Sequence, residues 1–170
     1  NYHDVNKSFP AGTVPNEKLK PADRLSWMTQ ILPYVEQAAL KDKLDEEGGW
    51  EDDANKEALQ ARVPVFQNPG LKRPDAKYGE THYVGIAGVG KDAPLLPVTS
   101  NRAGIFGYNR KTKFADIKDG SSNTLLMTEP GRDFGAWGAG GTPTIRSLTK
   151  KPYINGEDGI GGPFPGGCHV

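Results

Sequence analysis

The sequence predicts an α+β fold in which the end of an amino-terminal helix and one or two short helices pack on a small, mainly antiparallel sheet. Three observations indicate this class. Apolar residues recur at helical spacing within residues 27–40, and residues 124–129 form an apolar run typical of a buried strand. The 22 glycines and 14 prolines predict long irregular loops. The length of 170 residues indicates one domain, residues 1–170.

The first residues have the pattern of a helix that is about to end. Tyr2 and Val5 lie three positions apart, and a turn containing Pro10 and Gly12 follows. We therefore expect residues 1–7 to be the last turns of a helix whose body precedes Asn1, in a truncated or processed product.

Two further helices are predicted in the first third of the chain. Ser26 can cap a helix over residues 27–40, and Pro33 should kink this helix or divide it into two short ones. Residues 53–62 form the next predicted helix, with acidic side chains at its positive end.

The strand pattern is clearest in residues 124–129, which we predict to be the central strand. Full burial of Leu125, Leu126 and Met127 would contribute about 1.5–3 kcal/mol each. Other predicted strands are an edge strand at residues 63–66, a strand at 81–87 and a short strand at 104–108.

Residues 131–170 contain 11 glycines and show no helical periodicity. We expect a glycine-rich loop region, anchored by Trp137 and Ile145 on a further strand or hairpin. Residues 168–170 have the pattern of the start of a last strand.

Composition excludes several classes of function. The 21 basic and 21 acidic side chains balance, and neither a basic excess nor a basic stripe indicates a nucleic-acid partner. Cys168 is the single cysteine, which excludes an internal disulfide and a cysteine-based zinc finger. No apolar run approaches the roughly 18 residues of a membrane span.

No set of residues has the pattern of a catalytic centre. Ser121 and Ser122 lack a nucleophile elbow, and Cys168 is next to His169 without a third orienting group. The histidines are scattered at positions 3, 82 and 169, which favours structural roles over a metal site. We therefore predict no catalytic, cofactor-binding or metal-binding residues.

Two acidic groups have a second interpretation. Asp116, Asp119, Ser121 and Asn123 are oxygen-rich in a way that calcium accepts, but capping of a turn explains them without an ion, and we favour the turn. Glu129 could form a carboxylate couple with Asp133 or Asp116. We prefer a charge-assisted bond to Arg132 or to a backbone amide.

The acidic residues at 46, 47, 51, 52 and 53 are interpreted as a solvated turn and a helix start, because the loop pattern of a hard-cation site is missing. The three tryptophans, at positions 27, 50 and 137, are interpreted as core and lid residues, not as a ligand cage.

Several stretches in order resemble one family. They are Asn-Tyr-His-Asp-Val-Asn from Asn1, Leu-Pro-Tyr-Val-Glu-Gln from Leu32, Tyr-Val-Gly from Tyr83, Asp-Gly-Ser-Ser-Asn-Thr from Asp119, and Gly-Gly-Cys-His-Val from Gly166. Together they resemble the bacterial domain-of-unknown-function 1559 family, whose members begin with a prepilin-type cleavage and methylation segment.

The resemblance implies a pilin-like or pseudopilin-like protein, with an amino-terminal helix in the inner membrane and a head packed on its outer half. Relatives often carry Cys-Pro-Ser where this chain has Gln67-Asn68-Pro69-Gly70, so a disulfide proposed for them does not carry over. One family label suggests solute binding. The family has no established catalytic residues.

We therefore expect a non-enzymatic assembly subunit of a type IV pilus-like or type II secretion-like system. Its expected partners are other pilin-like subunits, the secretion or pilus machinery, and the membrane through the preceding helix, with the head in the periplasm or at the cell surface. The alternative is a periplasmic or cell-surface module that binds a small solute, a glycan or calcium.

Overall fold

The computed structural model describes residues 1–71, 78–162 and 168–170. Its helices are short and precede the strands. The α-helices are α1 (Tyr2–Asn6), α2 (Trp27–Ile31), α3 (Ala38–Lys41) and α4 (Asp53–Leu59). The strands are β1 (Glu80–Thr81), β2 (Val84–Val89), β3 (Met127–Thr128), β4 (Gly135–Ala136) and β5 (Ile145–Leu148). Short 3-10 helices lie at Leu32–Val35, Pro64–Phe66, Ala93–Leu95, Phe114–Asp116 and Ser121–Asn123.

The strands form two small sheets. In the larger sheet, β2 lies between β3, which is antiparallel to it, and β5, which is parallel to it. In the smaller sheet, β1 pairs with β4 in antiparallel orientation. The predicted α+β class with a small, mainly antiparallel sheet is therefore confirmed.

The predicted central strand is wrong. Only Met127–Thr128 of residues 124–129 forms a strand, and it flanks β2, which is central. A Cβ atom at Gly85 of β2 would collide with the ring of Phe106. The small residues of β2 therefore let neighbouring chain segments approach closely, as a central strand requires. The prediction instead chose the run with the largest apolar side chains, Leu-Leu-Met, and large side chains do not permit such an approach.

The predicted edge strand at residues 63–66 is also wrong. Pro64–Phe66 forms a 3-10 helix with proline at its first turn, while Val63 and Phe66 are buried. Proline has a fixed φ near that of a helix and lacks an N–H group, so it suits the start of a helical turn. The prediction of an edge strand therefore failed on backbone conformation, and Val65 is 55% exposed between the buried Val63 and Phe66.

Residues 104–108 run beside β2 without forming the predicted strand. The N–H groups of Gly104 and Phe106 donate to Ala87 and Ile86, at 2.7 and 3.1 Å. The carbonyls of Gly104 and Phe106 accept instead from the guanidinium of Arg110. These carbonyls are therefore not available for a regular ladder.

For the helix predicted at residues 27–40, the cap at Ser26 and the break at Pro33 are both confirmed. Ser26 Oγ accepts a hydrogen bond from the Met28 N–H at 3.1 Å. Pro33 lies in the 3-10 turn that separates α2 from α3, as expected for a proline that divides a helix. Helix α4 begins at the predicted residue and ends three residues early, at Leu59.

The core joins distant parts of the chain through tryptophans. Trp137 is fully buried, and its Nε1 donates to the Ala61 carbonyl at 2.9 Å. Trp27 Nε1 donates to the Thr144 carbonyl at 3.0 Å, and the half-buried Trp50 donates to the Ala22 carbonyl at 2.9 Å. Each indole therefore packs on apolar neighbours and also satisfies a backbone acceptor far away in sequence.

Two buried arginines replace regular structure in the irregular part of the chain. Arg110 donates to five backbone carbonyls, those of Ala87, Ala93, Leu96, Gly104 and Phe106. Arg146 of β5 donates to the carbonyls of Arg132, Asp133, Asp158 and Gly159. Burial lowers the pKa of both guanidinium groups. The guanidinium of Arg110 thus fixes the loop of residues 93–106, and that of Arg146 fixes the loops within residues 132–159.

Candidate functional site

Helix α1 is attached to the rest of the protein on one side by Tyr2 and Asn6. The Tyr2 hydroxyl donates to Gln30 Oε1 at 3.2 Å, and Asn6 Nδ2 donates to the Tyr34 hydroxyl at 3.0 Å. The rings of Tyr2 and Tyr34 meet edge to face, with centroids 5.3 Å apart. Because Gln30 and Tyr34 belong to α2 and the 3-10 turn after it, these contacts join two helical segments.

A cluster of three rings holds the other side of α1. The centroid of the His3 ring lies 5.2 Å from that of Phe9 and 4.2 Å from that of Phe114. Phe9 and Phe114 are in edge contact at 5.1 Å. Val5, which takes part in neither set of contacts, is 68% exposed. The helix therefore has a held face and an open face.

Lys7 ends α1 and connects it to the sheet region. Its φ of 56° is left-handed, and its N–H donates to the His3 carbonyl at 2.7 Å. Two residues later, the Phe9 N–H donates to the Thr112 carbonyl at 2.8 Å. The helical conformation predicted for the first residues is observed at Tyr2–Asn6, and the chain is fixed directly after it.

A second notable cluster surrounds the buried carboxylate of Glu129. Glu129 Oε1 accepts from Asn68 Nδ2 and lies 2.9 Å from His169 Nδ1, and Oε2 accepts from the His169 N–H at 3.1 Å. The Glu129 N–H donates to the His169 carbonyl at 3.2 Å, and Thr128 Oγ1 donates to the same carbonyl at 3.0 Å. Glu129 thus joins residues 168–170 to the strand region.

The same cluster reaches His82 through Asn68. His82 Nδ1 accepts from the Asn68 N–H at 2.9 Å, and Asn68 Oδ1 accepts from the Gly70 N–H at 2.8 Å. Asn68 therefore links two histidines that are 87 positions apart in sequence. No sequence pattern indicated that Asn68 is a partner of Glu129.

Glu129 is held as a carboxylate. Burial alone would raise its pKa, but hydrogen bonds from the His169 N–H, the His169 ring and Asn68 outweigh burial, so the pKa lies below the ordinary value. Burial raises the pKa of the neighbouring Tyr83, and the Glu129 charge raises it further. A carboxylate with a lowered pKa is a weak base, so the arrangement favours a structural role over proton transfer.

The preferred prediction for Glu129, a charge-assisted bond to Arg132 or to a backbone amide, is confirmed in its second form. The backbone-amide bond is present, from His169. Arg132 is not the charged partner, since its Nη2 donates to the carbonyls of Gly156 and Glu157 and its Nε lies 3.5 Å from Asp133. Gly131 and Arg132 form a bend after Pro130, and the Arg132 side chain contacts the loop at residues 156–157.

The histidines do not converge on one point: His3 packs between phenylalanines, and His82 and His169 are joined indirectly, through Asn68 and Glu129. In the described ranges, no three His, Cys, Asp or Glu side chains are grouped to hold a metal ion. Cys168 Sγ contacts Thr128 Oγ1 at 3.6 Å, whereas the His169 ring faces Glu129. The side chains of Cys168 and His169, although adjacent in sequence, therefore have different partners.

The oxygen-rich turn near Asp116 is capped from within. Asp116 Oδ2 accepts from the Lys113 N–H at 2.8 Å, and Asn123 Nδ2 donates to the Asp119 carbonyl at 3.0 Å. Ser121 and Ser122 are exposed in a 3-10 turn. These bonds are those expected of a capped turn.

A cleft of about 170 Å³ lies between this turn and residues 98–105. Ile105 and Thr112, both buried, form part of its wall. Asn101, Lys118 and Asp119 lie on it, and their side chains form no hydrogen bond or ion pair with the described part of the chain. The cleft thus offers a carboxylate, an ammonium and an amide to a small polar molecule.

The fold and the sites together define a small α+β protein with a docked amino-terminal helix. The family described as "Protein of unknown function (DUF1559)" matches residues 1–170, so the chain belongs to this family. No curated protein and no solved structure matches the chain. Among the residues described, none of the helices has the length and apolar character needed to cross a bilayer.

Proposed function

We propose that the chain is the head of a pilin-like or pseudopilin-like subunit, which acts by assembly and not by catalysis. In this proposal, a helix continuous with α1 anchors the protein in the inner membrane, and the head lies in the periplasm or at the cell surface. The family resemblance supports the class.

The observation that carries the proposal is the double attachment of α1. Contacts through Tyr34 on one side and Phe114 on the other hold the helix at a set angle to the head. A subunit whose helix packs among neighbouring helices needs this angle, because a loosely joined head would take no defined position. The exposed Val5 lies on the face left for such neighbours.

Weakening one attachment tests this role. Replacing Tyr34 by alanine removes the ring contact with Tyr2 and the acceptor of Asn6, and should destabilise the docked helix by about 1 kcal/mol. Exchange of the Lys7 amide, measured by nuclear magnetic resonance, should become about fivefold faster. Tyr153→Ala, a tyrosine in a distant loop, is the matched control.

The assembly role itself is tested with the full product of the gene. It should fractionate with membranes and form cross-linked ladders in cells, and Tyr34→Ala should reduce these ladders more than Tyr153→Ala. A full-length product that is monomeric and absent from membranes would overturn the proposal.

The cleft beside Asp119 favours a second candidate function, binding of a small polar solute or of calcium. A ligand specific for the folded state raises the melting temperature by mass action. Calcium, and separately a set of monosaccharides and amino acids, would be added during thermal melting. A shift that Asp119→Asn removes, and Asp133→Asn does not, would support this candidate; no shift with any of these probes would exclude it for them.

A further inference from the structure

The balanced net charge of the chain conceals two oppositely charged segments. Residues 41–57 carry eight acidic and three basic side chains, whereas residues 91–118 carry six basic and two acidic ones. These segments correspond to net charges of −5 and +4, and the second is +3 without the buried Arg110. Opposite charge on two separate surfaces of one molecule favours contact between copies of that molecule.

The acidic segment borders an apolar groove between α3 and α4. The groove has a volume of about 410 Å³ and is lined by Leu40, Lys43, Ala54, Glu57, Ala58 and Ala61. Within the segment, Lys41 pairs with Glu46, and Lys56 pairs with Asp53. Glu57 is exposed at the groove and forms no ion pair in the described ranges. The groove therefore combines apolar residues with two exposed charges, Lys43 and Glu57, within a segment that is acidic overall.

The basic segment carries an apolar projection. Leu95 is 73% exposed, in the 3-10 turn Ala93–Leu95. Leu95 borders a cavity of about 350 Å³ that Lys111 also lines. Lys91 lines an adjacent cavity, and Pro94 and Tyr108 line both.

The two lysines near Leu95 carry charge that is not neutralised locally. Lys91 and Lys111 are exposed and form no ion pair with the described residues. The nearby Asp92 is neutralised by Arg102, with two oxygen–nitrogen distances of 2.7 Å. Leu95 therefore projects from a surface whose exposed, unpaired charges are positive.

We infer that Leu95 of one copy inserts into the α3–α4 groove of a second copy, with Lys91 and Lys111 facing Glu57 and the acidic segment that contains it. The projection and the groove belong to different surfaces, so the contact is head-to-tail. Such a contact, repeated by identical subunits, produces an open chain unless the rotation closes a ring. The inference rests on the proposed assembly function and names the surfaces that the heads use.

Charge exchange tests the contact in solution. Self-association of the chain, measured by sedimentation velocity over a concentration series, should be present at low ionic strength and reduced at high ionic strength. Lys91→Glu and Glu57→Lys should each weaken it about three- to tenfold, and an equimolar mixture of the two variants should recover it. Leu95→Ser should also weaken it.

Matched controls lie on other surfaces. Lys20→Glu changes an exposed lysine outside both segments, and Val65→Ser changes a valine that is 55% exposed. Association that is absent, or that Lys91→Glu, Glu57→Lys and Leu95→Ser change no more than these controls do, would overturn the inference. Binding of the lysine surface to anionic lipid vesicles in place of a second copy would also overturn it.

Cross-linking in the full-length protein separates this inference from the proposed function. With Cys168 replaced by serine, subunits carrying Leu95→Cys should form disulfides with subunits carrying Ala54→Cys, since Ala54 is exposed at the groove. Assembly without this cross-link would overturn the inference and leave the proposed function standing. Failure of the full-length product to assemble would overturn the proposed function, and the solution measurements would still decide the contact.

Discussion

Replacing Arg110 by lysine is expected to destabilise the protein by about 2–5 kcal/mol. The guanidinium donates to five backbone carbonyls from three separate stretches of chain. The two Nη groups share four N–H bonds among these carbonyls, whereas a lysine ammonium has three on a single atom and cannot reach all three stretches. Some of the carbonyls would therefore lose their partner, at about 1–3 kcal/mol each. The measurement is chemical denaturation, and the melting temperature should fall by roughly 5–15 °C.

The neighbouring Lys111 is the control for this prediction. It is exposed and forms no ion pair with the described residues, so Lys111→Met should change the free energy of unfolding by less than about 0.5 kcal/mol. Equal effects of Arg110→Lys and Lys111→Met would show that the carbonyl contacts of Arg110 contribute little.

Replacing Glu129 by leucine is the second large change, with an expected loss of about 2–4 kcal/mol. The carboxylate is fully buried and accepts from Asn68 and from the His169 N–H, and both donors would lose their acceptor. Amide exchange should become faster at His169 and at Gly70, which hydrogen-bonds to Asn68. Glu157→Leu, an exposed loop position, is the control.

Acid should reproduce part of this loss in the unchanged protein. The pKa of Glu129 is lowered by folding, so its contribution is present above the ordinary value of 4.5 and is lost as the pH falls through the lower folded pKa. The free energy of unfolding, measured by chemical denaturation at a series of pH values from neutral into that acidic range, should fall more steeply with pH for the unchanged protein than for Glu129→Leu. Parallel curves would contradict the role given to this carboxylate.

The sequence-based prediction of the helices succeeded because helix signals are local. Ser26 as a cap and Pro33 as a break act on residues within one turn of themselves. The strand predictions were less successful for the opposite reason. Whether residues 124–129 or β2 is central depends on which segments pair at both edges, and that pairing is not encoded within the run itself.

The candidate sites show the same division. The turn interpretation of Asp116 and Asn123 agrees with the bonds observed, since each bond spans four residues or fewer. The partners of Glu129 could not be predicted, because Asn68 and His169 lie 61 and 40 positions away. Nor did the composition reveal Arg110 as the centre that holds five carbonyls, because a buried and an exposed arginine look alike in a sequence.

The amino-acid sequence alone determined the α+β class, the short helices, the glycine-rich loops, the core positions of Trp27 and Trp137, and the family resemblance. These follow from local propensity, from the apolar pattern and from ordered motifs. Only the tertiary structure decided which strand is central, how α1 is attached, and where Glu129 and Arg110 find their partners. Each of these depends on contacts between segments that are distant along the chain, and their geometry exists only after the chain has packed.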